Sequence, residues 1–358
     1  RATNEVMWNF IVSDLDKAEQ YIAGYQRENV FTPDLSVVYG LKARAYLQMG
    51  EWAKAQEYAK KAQAGYTVMT DEEYTSRNTG FNTPNGSWMF GCTFKSDDAC
   101  IKENDADSSW GSWMILEVTA SGCGYAADYG APMYIDRHLY ESIPESDFRK
   151  KCYIDFAIDE MESKEDAIVA LSNYSDVPEG FLVTAEQGDR VVGGLPVKFR
   201  PKNGEHANQY TAFTVALPLM RVEEMKLIEA EAAGMQNEAN GIALLTEFAK
   251  TRDADYVYGT HTDLYYTNLS LFQREVWWQR RVELWGEGFA TLDIKRFQAG
   301  VIRSYAGSNH ASGYRWNVDH TPDWMNLCIV QTETNNNHLC TNNPTPLRPT
   351  EESPEFAW

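Results

Sequence analysis

Apolar residues recur every three to four positions in the first part of the chain, and that spacing predicts helices. Met7, Ile11, Leu15, Ala18 and Ile22 line one face of residues 4–23, the period of a helix that buries a single stripe. Gly24 follows where a left-handed C-terminal cap is favoured. Residues 34–64 predict a helical hairpin. Asp34 is a good N-cap after Pro33, Ala43 and Tyr46 share a face of the first helix, and Gly50 makes the turn. Trp52, Ala55, Ala59 and Ala62 stripe the second helix. Small residues let the two helices approach closely, and Tyr46 and Trp52 fill the gaps that remain.

The helical period returns far downstream. Residues 218–252 predict a helix from Leu219 to Ala233, a break at Gly234, and a second helix from Glu238 to Arg252 that carries Ile242, Leu245, Phe248 and Ala249. Residues 270–286 predict another helix, capped by Ser270 and closed by Gly286 or Gly288, and the following TLDIKRF is a short helix or strand. Between these blocks, residues 70–217 have no sustained period and are rich in Gly, Asn, Ser, Asp, Trp and Tyr. Short β-like pieces stand out there: WMFGCTF (88–94), WMILEV (113–118) and GGLPVKFR (193–200). A structureless loop of that length does not fit inside a compact domain, so the segment is expected to be a mixed subdomain packed on the helices. The tail from Ser304 is polar and rich in Asn, Thr and Pro, and is expected to wrap the surface. The resulting organisation is mainly α: helices in 1–69, an irregular aromatic-rich subdomain in 70–217, further helices of the same scaffold in 218–303, and a wrapping tail in 304–358.

Charge narrows the function. The formal net charge of −20 repels phosphate backbones and anionic lipid, which argues against nucleic acid and membrane surfaces as partners. No run of 18 apolar residues is present, so no transmembrane helix is predicted. No signal peptide is visible, and the chain opens at Arg1 in sequence that already looks helical, as expected of a processed or truncated chain. The six cysteines form no CxxC and have no histidine at zinc-ligand spacing. Cys92/Cys100 and Cys328/Cys340 are plausible local pairs, and free thiols fit equally well.

Catalytic motifs are missing. There is no GxSxG, HExxH, GxxxxGK[ST], or GxGxxG opening a helix after a strand. Glu283 and Glu287 lie one helical turn apart, and glycosidases do use two carboxylates, but those must straddle a bond in a cleft. Glutamates interleaved with arginine more naturally tie helices together. Arg221, Glu224, Arg281, Glu283 and Glu287 are therefore assigned to structural ion pairs. DxDxS at 105–109 alternates oxygen ligands but lacks the Gly and terminal Glu of a calcium loop. It is a weak calcium candidate, and no other metal or cofactor is expected.

The aromatic residues point elsewhere. Of 11 Trp and 20 Tyr, many fall in loop-like sequence, where rings mark recognition surfaces more often than cores. Trp88, Trp110, Trp113, Tyr125 and Tyr129 lie in FNTPNGSWMFG, DADSSWGSW and GCGYAADYGAP, with Asn85, Asp105 and Asp107 nearby. The C–H faces of sugars pack on flat rings while their hydroxyls bond to Asn or Asp. Trp316 and Trp324 form a secondary group. The competing use of each ring is to anchor a long loop to the core.

LKARAYLQMGEWAKAQEYAKKA (41–62) resembles a tetratricopeptide (TPR) repeat, a unit that cannot bury its apolar face alone. IPESDFRK (143–150), LMRVEEMKLIEAEA (219–232), Arg252, and WWQRRVELWGEGFATLDIKRF (277–297) with its Glu-Leu-x-x-Glu-Gly, Asp293 and Arg296 then occur in order. IVQTETNNN (329–337) and Asn342-Asn343-Pro344 close the series. Together these segments resemble the RagB/SusD (SusD-like) family across nearly the whole chain. The resemblance implies a TPR-like α/α scaffold carrying an irregular subdomain. It also implies non-catalytic capture of oligosaccharide or polysaccharide, or of peptide in some branches, for a SusC-like TonB-dependent transporter. Such proteins are outer-membrane, cell-surface lipoproteins of Bacteroidetes. Their usual lipidated Cys and upstream helical segment are not in this sequence, so the resemblance places the anchor and part of the ligand site upstream of Arg1. A helical glycan-active enzyme is the rival of another class. A cytoplasmic TPR scaffold is a further one, but it would need tandem units, and one is clear here.

Overall fold

The computed structural model describes residues 2–102, 109–115, 133–154, 195–205, 208–261, 268–310, 312–343 and 351–358. Helix α1 (Asn4–Ile22) starts on Thr3, whose hydroxyl accepts from the Val6 N–H. It lies along α2 (Leu35–Met49), and the buried Lys42 of α2 holds Asp16 (2.6 Å) and Glu19 of α1. Asp34 caps α2 by accepting from the Ser36 and Val37 N–H groups, and Gly50 ends it at φ 72°. That left-handed conformation costs glycine least. Helix α3 (Trp52–Ala62) returns antiparallel, and Ala55, Ala59 and Ala62 are fully buried.

The segment beyond α3 is built of short pieces: α4 (Asp71–Thr75), β1 (Trp88–Thr93), α5 (Trp110–Met114), α6 (Arg137–Glu141), β2 (Tyr153–Ile154), β3 (Leu195–Pro196) and α7 (Gln209–Ala212). A second hairpin follows, α8 (Val222–Gln236) and α9 (Glu238–Ala249), after the strand β4 (Ala216–Arg221). α8 packs against α3 as well as α9, so the two hairpins stack side by side in the TPR-like manner. Met225, Ile228 and Ala232 of α8 meet Val37, Ala43, Tyr46, Ala55 and Ala59 in one apolar cluster. Helix α10 (Leu271–Glu283) opens on a capping box in which Ser270 and Gln273 satisfy each other's backbone N–H. Its Trp278 and Val282 enter a second cluster beneath the irregular segment, with Tyr74, Phe81, Ile115, Phe148, Phe199 and Phe213. Helix α11 (Ala290–Arg296), the β5–β6 pair (Val301–Ile302 with Asn317–Val318) and α12 (Gln331–Asn336) complete the chain. The C-terminus folds back on the start of the tail: the Phe356 N–H donates to the Ser304 carbonyl (2.8 Å) and the Ser353 N–H to that of Arg315 (2.9 Å).

Three local expectations are corrected. Leu219 to Arg221 are strand, not helix. β4 pairs antiparallel with β1 (Trp88 opposite Arg221, Gly91 opposite Pro218), and its burial alternates so that Leu219 is exposed. A period of two won over a period of 3.6 because Pro218 has no N–H for a helix and its flanks pair with β1. Gly234 does not break the helix but lies inside α8, where a Cβ would meet the Phe272 ring at 2.1 Å. The break is at Asn237, whose side chain caps α9 through the Asn240 N–H. Trp113 and Met114 are helical, because Ser109 caps α5; residues 116–118 lie outside the described residues.

Candidate binding site

Four of the segments singled out in the sequence converge on one buried ionic cluster. Glu283, at the end of α10 and fully buried, accepts from Arg149 (3.2 Å), Arg221 (3.0 Å) and Arg252 (3.0 Å). Glu287 receives Arg221 (2.8 Å) and Lys198 (2.7 Å). Glu223, in the first turn of α8, bridges Arg221 (2.9 Å) and Arg252 (3.0 Å), and Asp147 holds Arg149 (2.6 Å). Spare donors reach backbone: Arg252 donates to the Met69 carbonyl (2.6 Å), and Lys198 to those of Glu283 and Trp285 (2.9 Å each). Burial alone would raise the Glu283 carboxyl, but Arg252, Arg221, Arg149 and Lys198 outweigh it and hold the group far below the usual carboxylate range. Glu287 is likewise raised by burial and brought down by Arg221 and Lys198. Neither carboxylate can reach a substrate, and neither is free to move a proton.

Two of the residues assigned to structural ion pairs lie outside this cluster, although Glu224 does tie two helices together as expected. Glu224 points the other way along α8 and pairs with Arg44 of α2 (2.6 Å). The Arg281 guanidinium lies 5.1 Å from the Trp277 ring, and the neighbouring Arg280 makes the buried pair, to Asp293 (2.8 Å).

The expected ligand rings separate into core and rim. Trp88 is 1% exposed on β1 and is a core residue, so it has no face free for a ligand. Asn85 shapes the turn before β1: its Oδ1 accepts from the Ser87 N–H (2.9 Å) and its carbonyl from the Trp88 N–H (3.2 Å). Trp110 is half-buried, parallel to Phe94 (6.5 Å, 6°) and edge-on to Phe199 (5.0 Å). Trp113 and Trp285 are half-buried against the same apolar cluster. Trp285 was not singled out from the sequence; the sign was its place beyond the last residue of α10 and just before Gly286, off the helical stripe. Tyr125, Tyr129, Asp105 and Asp107 lie outside the described residues. In the tail, Trp316 is buried, with Arg303 4.2 Å over its ring, and only its neighbours Trp324 (half-buried) and Tyr314 (exposed) face outward.

A separate cleft of about 460 Å³ opens between α6 and the segment after α9. Its floor is His261, stacked 3.4 Å from the Trp278 ring. The His261 Nδ1 lies 3.0 Å from Glu275 Oε2, and the His261 backbone N–H donates to Oε1 (2.8 Å). Burial would raise Glu275, but its hydrogen bonds from His261 and Tyr256 bring it below its ordinary value. It is therefore ionised and can only accept, which places a proton on Nδ1. None of the expected ligand residues lines this cleft. Its residues come from HLYESIPES (138–146) and DADYVYGTH (253–261), where acids and rings mix just past a helix end.

Among the described residues no group of three His, Cys, Asp or Glu is placed to hold a metal. The described cysteines, Cys92, Cys100, Cys152, Cys328 and Cys340, are free thiols, so neither local pair considered above is bonded. Burial pushes the Cys152 thiol up to about 12. No described helix is long and apolar enough to cross a membrane.

No family model matches this sequence, and no curated protein does. Solved structures do. A SusD-like carbohydrate binding protein from Bacteroides vulgatus superposes with a TM-score of 0.59 at 26% identity, over 82% of this chain and 52% of its own. A SusD superfamily protein from Bacteroides thetaiotaomicron gives 0.65 at 18% identity, over 94% of this chain and 66% of its own. The fold is SusD-like. Surface glycan-binding protein A from Bacteroides thetaiotaomicron shares it at 15% identity (TM-score 0.60, 96% of this chain and 71% of that one). This chain thus spans between half and two thirds of the length of the first two structures. Within the SusD-like fold, four of the segments that carried the sequence resemblance meet in the ionic cluster: SDFR supplies Asp147 and Arg149, RVEE supplies Arg221 and Glu223, the end of α9 leads to Arg252, and VELWGEG supplies Glu283 and Glu287.

Proposed function

We propose that this protein captures glycans without cleaving them and presents them to a SusC-like TonB-dependent transporter at the outer-membrane surface. The observation that carries the reading is a SusD-like fold whose irregular segment and post-helical turn hold Trp110, Trp113 and Trp285 half-buried on one rigid apolar cluster. The solvent-exposed part of a half-buried ring held in place by a core would meet the C–H patch of a sugar with little further loss of freedom. Two neighbours in fold are named for binding carbohydrate or surface glycan, which supports the ligand class. The absence of cleavage rests on the Glu283 and Glu287 carboxylates, which are wholly engaged by arginine and lysine.

The test is titration calorimetry against a panel of oligosaccharides, with peptides as the comparison set. One glycan class should bind, and Trp110→Ala or Trp113→Ala should weaken it roughly 2- to 10-fold, the worth of one stacked ring. Unchanged affinity in both variants removes the rings from the site. A peptide response in place of a glycan response replaces the ligand class. Release of products from a labelled polysaccharide would make the protein an enzyme.

A further inference from the structure

The tail carries a cation that the protein leaves without a counter-charge. Arg303 follows β5, and its backbone N–H donates to Asn317 Oδ1 of β6 (3.0 Å). Its half-buried guanidinium lies 4.2 Å over the ring of the buried Trp316 and has no hydrogen bond or ion pair among the described residues. Burial pulls the group below its ordinary pKa, and the field of Asp136 only partly offsets this. Asp136 is itself engaged: it accepts from the Tyr305 hydroxyl (2.9 Å) and the Leu139 N–H (3.0 Å), and His310 Nε2 lies 3.1 Å away. Asp319, just beyond β6, faces His320 (2.8 Å). The Trp316 indole N–H is buried and also lacks an acceptor among the described residues.

Arginine stays protonated at every ordinary pH, and drawing its charge out of water without a partner is costly. A half-buried guanidinium therefore gains most from a carboxylate, which accepts two of its N–H groups side by side. Contact with Trp316 covers one face of the guanidinium and leaves the donors at its edge. Two more rings adjoin Trp316. Trp324 is half-buried at 5.6 Å and tilted by 48°; Tyr314 is 47% exposed at 5.8 Å and tilted by 46°. Outward-facing rings beside a fixed cation suit a ligand that carries an apolar face and a carboxylate on one small ring.

We propose that Arg303, Trp324 and Tyr314 form a second saccharide site, selective for sugars that bear a carboxylate, that is, for uronate units. The carboxylate would pair with the Arg303 guanidinium while the C–H face of the same sugar packs on Trp324 or Tyr314. The proposal takes from the proposed function only that the ligand is a saccharide; it does not involve the Trp110, Trp113 and Trp285 surface. The net charge of −20 opposes uronates at long range, so the site acts once salt has shortened that field, to about 8 Å at roughly 0.15 M.

The test is a calorimetric titration of the full chain, at that ionic strength, with tetragalacturonate, its uncharged methyl ester, and acetate. Tetragalacturonate should bind at least about tenfold more tightly than either control, the worth of a charge-assisted hydrogen bond. Arg303→Gln should remove that preference. Arg303→Lys should keep part of it, since lysine retains the charge but not the planar fork. Tyr314→Ala, at an exposed position, should weaken tetragalacturonate severalfold. Trp110→Ala should leave the response to tetragalacturonate unchanged even if it abolishes binding of neutral oligosaccharides, so this site and the ring surface can fail separately. No binding of tetragalacturonate, equal affinity for acid and ester, acetate binding as tight as that of the tetramer, or a preference that survives Arg303→Gln would each overturn the assignment.

Discussion

Glu283 is completely buried, with three guanidiniums around it. Removing such a charge leaves its partners buried and unbalanced, which costs about 3–5 kcal/mol. Glu283→Gln should therefore lower the denaturant midpoint severely, whereas Glu57→Gln, which breaks a pair with Lys61 that is exposed on both sides, should leave it nearly unchanged. Urea unfolding of both variants decides it, and equal losses would mean that the cluster does not hold the segments together. The carboxylate–arginine character of this site was legible in the sequence, but the partner choice was not. Arg280 and Arg281 are adjacent, and only the direction of α10 decides that Arg280 meets Asp293 while Arg281 lies on Trp277. Trp88 was misread for a related reason. Its flanks, NGS before and GCT after, look like loop, yet β4 pairs with it from 133 positions away and closes it in.

Helices α8, α9 and α10 meet at two glycines. A Cβ on Gly241 would stand 2.3 Å from the Gly234 Cα and 2.6 Å from the Phe272 ring. Gly241→Ala must push backbone from backbone, and such overpacking typically costs 1–3 kcal/mol. Its thermal midpoint should fall, although alanine is the better helix former by about 1 kcal/mol; a rise would mean that the three helices have slack between them. The hairpins were readable because alanine stripes and caps act locally: Asp34, Gly50 and Ser270 do what their positions predict. Gly234 was not, since a glycine that ends a helix and one that admits a neighbouring ring look the same in one dimension. The cleft was equally hidden, because its two walls, at 138–146 and 253–261, lie more than 100 residues apart.

Taken together, the buried acids make the protein sensitive to low pH. Glu283, Glu287, Asp293, Glu275 and Asp136 all sit below their ordinary values when folded, each raised by burial and lowered further by cationic or hydrogen-bonding partners. The unfolded chain therefore takes up protons first as pH falls. Stability from these groups is complete above the free carboxyl range, about 4 to 4.5, and drains away below it. Thermal midpoints should be flat from pH 7 to about 5 and drop steeply below pH 4; a midpoint unchanged at pH 3 would contradict the ionised cluster. That cluster has a quieter consequence. Arg149, Lys198, Arg221 and Arg252 balance Asp147, Glu223, Glu283 and Glu287 one for one, so the whole formal −20 belongs to the rest of the chain. To an approaching polymer the molecule is a polyanion. Uncharged chains should associate with it equally well at any ionic strength, while uronate-bearing or sulfated ones should be held off until counterions shorten the reach of its field to about 8 Å.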